Sequence, residues 1–366
     1  MTLFSDDPRP SAPRGRRAWV GPVVLFSGVA LVVALGVAPA PYVIEQPGPV
    51  FDTLGTSGED VPLISIPDRT TYPTTGSLDM LTVSVVGNPE SLPNWVEIAS
   101  AWFDRSKAVV PVEQIFPAST TVQERDEVNQ AEMTDSQQEA IAAALTELGY
   151  PVTQRVSVAQ IPDGSPSDGV LEAGDEVLAV DGSPVADVAA LRDAVQAAGT
   201  DGPVSLTIER DGAEQEAEVT PEDSDGSAVI GIVAGAAFDF PFEVEIQLDD
   251  VGGPSAGMMF ALGIIDKLTE GSLNGGEDVA GTGTIDAEGE VGAIGGIRQK
   301  MFGAVDAGAS YFLAPADNCG EVVGHVPDGL EVLSVSTLDE ALAALQGIAA
   351  GDTADLPDCD DATPIS

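Results

Sequence analysis

Of the 366 residues, 60 are acidic and 14 are basic, which gives a formal net charge of −46 at pH 7. Such a surface repels the phosphate backbone of a nucleic acid, so no nucleic acid is expected as a partner. A single histidine excludes a metal site built from several histidines, and neither a metal nor a cofactor is expected. The hydrophobic fraction of 43% is sufficient for the cores of two compact domains.

The N-terminal segment has the pattern of a membrane anchor. Residues 1–17 carry three arginines near their end, and residues 18–40 follow without a charged side chain. An uncharged stretch of this length predicts one transmembrane helix, with the arginines and the tail 1–17 in the cytoplasm. We therefore expect a single-pass protein of the cell membrane whose remaining chain, from Pro41 onward, lies outside the cytoplasm.

A cleaved signal peptide is the alternative for the same segment. The residues Ala38-Pro39-Ala40 resemble the small-residue site that ends such peptides. Pro41 would follow the cleaved bond, and its fixed backbone and missing amide hydrogen should hinder a peptidase there. The retained anchor is the preferred interpretation.

Two cysteines, Cys319 and Cys359, would face an oxidising compartment if the anchor prediction holds. A disulfide between them would tie down the acidic tail, residues 351–366, which is otherwise predicted to be disordered. Two unpaired thiols are an equally open alternative, because the sequence does not provide the distance that a bridge requires.

Residues 41–117 are rich in β-branched side chains and turn signals, with a buried strand LTVSVV predicted at Leu81–Val86 and a short helix from Asn94 to Trp102. Residues 118–149 follow as a helical connector. Thr134 and Gln137 have the spacing of a capping box, and the helix is predicted to end at Gly149.

Residues 150–222 contain short apolar strands, VSVAQI, DEVLAVDG and VSLTIERDG, around a helix predicted at 188–198. The strings GSPSDG, VLEAGDEVLAVDGSPV and ALRDAVQAAG, with the final hairpin, resemble a PDZ domain. The resemblance implies binding of an extended peptide by strand addition, often at its C-terminal carboxylate, and Leu148-Gly149-Tyr150 is a candidate carboxylate loop. A purely structural spacer is the alternative.

Residues 225–350 predict an α/β domain with strands FEVEIQ, VAGTGTI and SYFLAP and helices at about 255–268 and 295–307. Ser255 lies in GGPSAG at the start of the first helix, where free backbone amides suit a tetrahedral intermediate. A serine at that position is more often only a helix cap.

Lys300 lies in GGIRQK at the start of the second helix and is one of three lysines in the chain. A lysine that removes a proton from serine must be neutral, which requires a pKa lowered by burial. The absence of acidic residues between Val291 and Val305 is consistent with such a site, whereas an isolated lysine on a helix is usually exposed.

Residues from about 240 to 345 resemble the proteolytic domain of the Lon family, whose members use a Ser-Lys dyad. The resemblance is carried by GPSAG, GTGTI, VGAIGGIRQK and AGASYFLAP. It implies that Ser255 is the nucleophile, Lys300 the general base, and Thr282 a hydroxyl that hydrogen-bonds the lysine. Lys267 and Arg298 do not match these positions.

The order of anchor, PDZ-like unit and Lon-like domain, with YVIEQPGPV after the anchor, resembles bacterial membrane-anchored Lon-like peptidases. Lon-like domains commonly assemble into rings, so the resemblance implies a homo-oligomeric ring such as a hexamer. The chain has no GxxxxGK[ST] phosphate loop, so ATP-driven unfolding is not expected. Many Lon proteins have Asp before Gly-Pro-Ser, whereas Gly252 stands here, preceded by Asp249 and Asp250.

These observations predict an α/β (α+β) Lon-type proteolytic domain with a small β-rich PDZ-like domain, preceded by one transmembrane helix. Segment 41–117 is expected to pack on the proteolytic domain, with LTVSVV in its sheet, so that the PDZ-like unit is an insertion. The predicted activity is that of an ATP-independent serine endopeptidase that cleaves extracytoplasmic peptides or unfolded proteins positioned by the PDZ-like domain.

Two other functions remain open. The first is a catalytically silent, membrane-anchored scaffold that binds peptides; an intact set of Ser255, Thr282 and Lys300 argues against it, because a buried charge is costly without a role. The second is a hydrolase that depends on His325, which lies in the turn GHVPDG and is more simply explained as a loop residue.

Overall fold

The computed structural model of the protein describes residues 17–57, 61–117, 121–162, 164–224, 226–248, 251–360 and 362–363. The helices in these residues are α1 (Arg17–Val37), α2 (Trp95–Trp102), α3 (Val112–Ile115), α4 (Val122–Glu147), α5 (Val188–Ala198), α6 (Gly257–Leu268), α7 (Ile297–Ala307), α8 (Cys319–Val322) and α9 (Leu338–Ala350). The strands are β1 (Tyr42–Asp52), β2 (Ile64–Ser65), β3 (Ser77–Val86), β4 (Ala108–Pro111), β5 (Thr153–Gln160), β6 (Glu176–Val180), β7 (Ser183–Pro184), β8 (Val204–Arg210), β9 (Ala213–Val219), β10 (Glu222–Ser224), β11 (Ser227–Val229), β12 (Val233–Asp239), β13 (Glu245–Ile246), β14 (Asp278–Gly281), β15 (Thr284–Ile285), β16 (Val291–Gly292), β17 (Tyr311–Pro315) and β18 (Glu331–Val335).

The described chain divides into two compact units. The first holds the residues up to Gln46 together with Ser84–Val122, and the second holds Pro47–Val83 together with the residues from Gln123 onward. The boundary falls within β1 and within β3. The predicted segment 41–117 is therefore divided between the two units.

The first unit is built around α2, which lies where the sequence predicts a short helix. The Asn94 side chain accepts hydrogen bonds from the amides of Val96 and Glu97, and the Glu97 carboxylate accepts one from the Asn94 amide. This reciprocal capping box satisfies amides that the first turn leaves free and starts the helix at Trp95. The first residues of β1 pair antiparallel with β4 beside it.

The predicted transmembrane segment, residues 18–40, falls on helix α1. Helix α1 occupies Arg17–Val37. Within the described ranges, however, no helix is both long enough and apolar enough to cross a membrane. Except for Arg17, the predicted cytoplasmic tail lies outside the described residues.

The second unit contains a parallel sheet, and three of its four strands come from the C-terminal half of the chain. Its strands are ordered β18-β17-β14-β3, and all three pairings are parallel. Helix α6 is buried along nearly its whole length in the adjoining core because most of its sequence, GMMFALGII, is apolar on every side. The predicted mixed α/β class is confirmed.

Strand β3 joins this sheet through a part of its sequence that precedes the predicted strand. Residues Ser77–Met80 pair with Asp278–Gly281 of β14, whereas LTVSVV begins only at Leu81. The paired residues Ser77 and Asp278 are 201 positions apart, so the second unit draws one of its strands from a much earlier part of the chain.

A second sheet in this unit has the order β12-β5-β6-β8-β9 and packs against α5. Helix α5 covers Val188–Ala198, as the apolar spacing predicts. The sheet extends past the predicted end of the PDZ-like unit at residue 222, because β12 pairs with β5 from Val233 to Asp239. The sequence pattern instead predicts these residues as part of the α/β domain, residues 225–350.

The predicted capping box at Thr134 is wrong, because this residue lies inside helix α4. The helix begins at Val122 and continues through this position, where the Thr134 hydroxyl donates a hydrogen bond to the carbonyl oxygen of Gln130 one turn earlier. A threonine inside a helix often makes this bond, so a capping pattern alone does not fix a helix start. The predicted end is close to the observed one, Glu147.

Candidate active site

Ser255 lies in the loop before α6, and residues of α4 hydrogen-bond this loop. The amide of Gly253 donates to the carbonyl oxygen of Asn129 at 2.8 Å, and the Ser136 hydroxyl donates to the carbonyl oxygen of Pro254 at 2.9 Å. A Cβ at Gly252 would lie 2.7 Å from Asn129 Cβ, so only glycine permits this approach. Helix α4 therefore determines where the serine lies.

Strand β14 brings Thr282 to the same place. Directly after the strand ends, the Thr282 amide donates to the carbonyl oxygen of Leu313 in β17 at 3.2 Å, and the next amide, of Gly283, donates to the carbonyl oxygen of Ser255 at 3.0 Å. Met258 N in turn donates to the Gly283 carbonyl oxygen at 3.1 Å. The serine loop and the strand end are thus tied together by backbone hydrogen bonds.

Helix α7 carries Lys300 into the interior. Gly296 precedes the helix with φ of +69°, a conformation that glycine adopts without strain, and its carbonyl oxygen accepts from the Lys300 amide at 3.1 Å. The Lys300 side chain is 2% exposed and lies next to Ile297 and Met301, which are fully buried. This burial lowers the pKa of Lys300 from 10.5 to about 7, because the charged form loses its hydration.

The three predicted site residues meet at hydrogen-bond distances. Lys300 Nζ lies 2.8 Å from Ser255 Oγ and 2.9 Å from Thr282 Oγ1. The Thr282 hydroxyl donates its hydrogen to the Ser255 carbonyl oxygen at 2.9 Å, so it can only accept from the amine. A neutral Lys300 that donates to Thr282 can turn its lone pair toward the Ser255 hydroxyl. The arrangement is that of a nucleophile and a base oriented by a third group.

The backbone around Ser255 also offers hydrogen-bond donors. The amides of Gly257 and Met258 are already bonded, to Pro254 and Gly283. Among the residues that the structure describes, the amides of Ser255 and Ala256 have no acceptor. Unpaired amides beside a nucleophile are the groups that stabilise a tetrahedral oxyanion.

The other candidate groups lie elsewhere. Lys267 donates to the carbonyl oxygen of Leu54, and Arg298 to that of Glu321. His325 Nδ1 lies 3.1 Å from the carbonyl oxygen of Val323 in its own turn, so the site gives no support to a histidine-dependent hydrolase. Asp249 and Asp250 lie outside the described residues.

The sequence did not single out Asn129, Ser136 or Asn318. Asn129 and Ser136 hold the serine loop, and Asn318 is 2% exposed and bonded to the segment before α7. No local pattern could have revealed the first two, because their partners are more than 100 positions away. Asn318 follows the predicted strand SYFLAP, and a polar residue at a strand end was the available signal.

Cys319 and Cys359 form a disulfide, which resolves the two alternatives left open by the sequence. The bridge ties the tail near Cys359 to the rest of the unit. A hydrogen bond from Ser334 N to the carbonyl oxygen of Pro357, at 2.9 Å, holds the same part of the tail. Leu356 is half-buried against α9. The tail is therefore packed from Leu356 to Cys359.

No cluster of three or more His, Cys, Asp or Glu side chains that could hold a metal ion occurs in the described residues.

A groove of about 400 Å³ lies between α5 and β12 in the second sheet, lined by apolar side chains that include Leu191, Val195 and Ile230. Strand β12 is at the edge of its sheet, so the backbone groups on its outer side are free to pair with an added strand. The predicted carboxylate loop is elsewhere, since Tyr150 packs edge-to-face on Phe242 at 5.0 Å between ring centroids. The turn that enters β12, at Ile230-Gly231-Ile232, borders the groove instead.

Comparisons with known proteins agree with both parts of the second unit. Residues 122–220 match the family described as PDZ domain, and residues 250–347 match the family described as Lon protease (S16) C-terminal proteolytic domain. A Lon protease of Azospirillum brasilense is 39% identical over 93 residues, and Lon protease 1 of Sorangium cellulosum is 42% identical over 94 residues. Each alignment covers 25% of this chain and 11% of the relative.

Among solved structures, the PDZ domain of an SdrC-like protein from Listeria monocytogenes is similar, with 23% identity and a TM-score of 0.21. That similarity covers 22% of this chain and 85% of the Listeria chain. By these family matches, residues 250–347 are similar to the proteolytic domain of Lon proteases, and residues 122–220, which precede them, are similar to PDZ domains.

Proposed function

We propose that the chain is a serine endopeptidase with a Ser-Lys dyad that works without ATP. The observation that carries the proposal is the distance of 2.8 Å between Lys300 Nζ and Ser255 Oγ, with the lysine 2% exposed. A buried lysine with a pKa of about 7 is neutral in a large fraction of molecules near neutral pH and can act as a base. A silent scaffold would have no use for this costly burial.

In the proposed mechanism, Lys300 takes the hydroxyl proton of Ser255 while Oγ attacks the carbonyl carbon of the substrate. The amides of Ser255 and Ala256 stabilise the oxyanion. The carbon–nitrogen bond then breaks, and Lys300 returns the proton to the leaving amine. Water, deprotonated by Lys300, hydrolyses the acyl-enzyme and regenerates the serine hydroxyl.

We further propose that the groove between α5 and β12 holds the substrate chain as an added strand. The free edge of β12 supplies backbone partners, and the apolar lining suits an apolar C-terminal side chain. Gly231 has φ of +69°, and a Cβ there would lie 2.7 Å from Ser165 Cβ, so Gly231→Ala should disturb the groove and raise KM for peptides. Gly212→Ala is the control, since Gly212 also has a positive φ but has open space around it.

The location of the activity outside the cytoplasm is part of the same proposal. The Cys319–Cys359 disulfide supports it, because disulfides persist mainly in oxidising compartments. A homo-oligomeric ring, such as a hexamer, stays a prediction from the family resemblance, to be tested by the mass of the particle in solution.

The test is cleavage of an unfolded protein such as casein by the full chain without ATP. Wild type should cleave, while Ser255→Ala and Lys300→Ala should lose cleavage. Lys267→Ala, which removes a half-buried lysine outside the site, should keep it. A folded wild type that cleaves neither casein nor a broad peptide library would favour the scaffold.

A further inference from the structure

Asn318 makes an unusual contact with the segment that leads into the lysine helix. Its Oδ1 accepts a hydrogen bond from the amide of Ile294 at 2.9 Å, and its Nδ2 donates to the carbonyl oxygen of the same residue at 2.9 Å. Both bonds are buried. One side chain thus satisfies both backbone groups of Ile294, in the way a neighbouring strand would.

Ile294 lies between two elements of the site. The hairpin of β15 and β16, which follows Thr282, ends at Gly292, and Gly296 caps the helix that carries Lys300. Ile294 is buried in the same apolar cluster as Ile297 and Met301. Its position therefore affects how tightly the start of α7 closes over the lysine.

We propose that Asn318 is a positioning residue for the general base, which keeps the first turn of α7 closed around Lys300. This inference rests on the proposed function, because it assigns to Asn318 an effect on the reactivity of Lys300. Without the two bonds, the buried amide and carbonyl of Ile294 lack partners and must move toward water. Water that follows them reaches the lysine and stabilises its charged form.

The experiment measures kcat/KM for a peptide substrate as a function of pH, using the full chain and Asn318→Ala. Wild type should lose activity on the acid side with an apparent pKa near the value of about 7 that burial gives Lys300. In the variant, the acid limb should move up by about one pH unit, which lowers the rate about fivefold at pH 7 and about tenfold at more acidic pH. At alkaline pH, the variant should regain most of the wild-type rate.

Glu321→Ala is the matched control. The Glu321 carboxylate accepts the remaining hydrogen bond of Asn318 Nδ2, at 3.1 Å, and its removal leaves both bonds to Ile294 in place. The pH profile of this variant should match wild type. An acid limb that moves as far in Glu321→Ala as in Asn318→Ala would overturn the inference.

A purely structural role for Asn318 has a different signature. The variant would melt at a lower temperature and give less active protein, with an unshifted pH profile, and this result would overturn the proposal. If Asn318→Ala does not fold, Asn318→Leu serves the same test, since it keeps a similar volume, adds no charge and loses both the donor and the acceptor for Ile294. A wild type without turnover contradicts the proposed function itself, so the two failures are distinguishable.

Discussion

Lys300 Nζ lies 2.9 Å from Thr282 Oγ1, and the bond between them is buried. Because the Thr282 hydroxyl gives its own hydrogen to the Ser255 carbonyl oxygen, it accepts from the lysine and restricts the rotation of the amine. The lone pair of a neutral lysine is then left for the Ser255 hydroxyl. In the proposed mechanism, Thr282 therefore orients the lysine and does not react itself.

Replacing Thr282 tests this orientation. Thr282→Ser keeps the hydroxyl and should retain activity within a fewfold of wild type. Thr282→Val has nearly the same shape but no hydroxyl, and we expect kcat to fall about 100-fold, within the range found for loss of one oriented catalytic group. Steady-state kinetics on one peptide measures both. Equal activity of the serine and valine variants would show that the hydroxyl does not orient the lysine.

The pH dependence of activity follows from the lowered pKa of Lys300. A general base acts in its neutral form, which predominates above its pKa, so kcat/KM should rise with pH and level off above about 7. Lys300→Arg should be inactive at every pH, because a guanidinium stays protonated. Activity that falls between about pH 6 and 8, or turnover by the arginine variant, would contradict the base.

The disulfide should contribute to stability through the loop that it closes. Cys319 and Cys359 are 40 positions apart, and a crosslink over a loop of that order stabilises a fold by about 2–4 kcal/mol. Denaturant titration of the full chain with and without a reductant should show this loss. The double variant Cys319→Ser and Cys359→Ser is the control, and its transition should not respond to the reductant.

Close packing at the start of α6 predicts the effect of Gly257→Ala. A Cβ at Gly257 would lie 2.8 Å from Ser136 Oγ and 3.0 Å from Ile285 Cγ2, so the helix start beside Ser255 must move. A displacement of this kind in a catalytic geometry costs on the order of 100-fold in kcat. Gly303→Ala in α7 is the control: it also adds a methyl to a helix, but its nearest neighbour lies at an ordinary 3.5 Å.

The sequence alone determined those features that local patterns encode. The apolar spacing predicts α5 at about 188–198, where the structure has it, and the motifs identify Ser255, Thr282 and Lys300. Lys300 Nζ lies within hydrogen-bond distance of both hydroxyl oxygens, and the Thr282 hydroxyl bonds the Ser255 carbonyl oxygen. Periodicity and motif spacing are properties of neighbouring residues, so they can be read without a fold.

Local patterns were less reliable where one residue pattern is compatible with more than one local structure. The Thr134 and Gln137 spacing fits a helix start, yet α4 runs through it. Strand β12, with the sequence VAGAAFD, lacks the alternation of a half-buried strand, and its pairing with β5 was not predicted. Which sheet edge a strand joins depends on the edge that is free in the folded chain.

Only the tertiary structure decided what holds the site together. Ser136 contacts the Ser255 loop across 118 positions, and Asn318 fixes Ile294 across 24. The sequence named Lys300, but its low pKa arises from burial by elements that are far apart in the chain. Desolvation is a property of the whole environment of a side chain, and this is why the folded chain, and no local motif, lowers the pKa of this lysine.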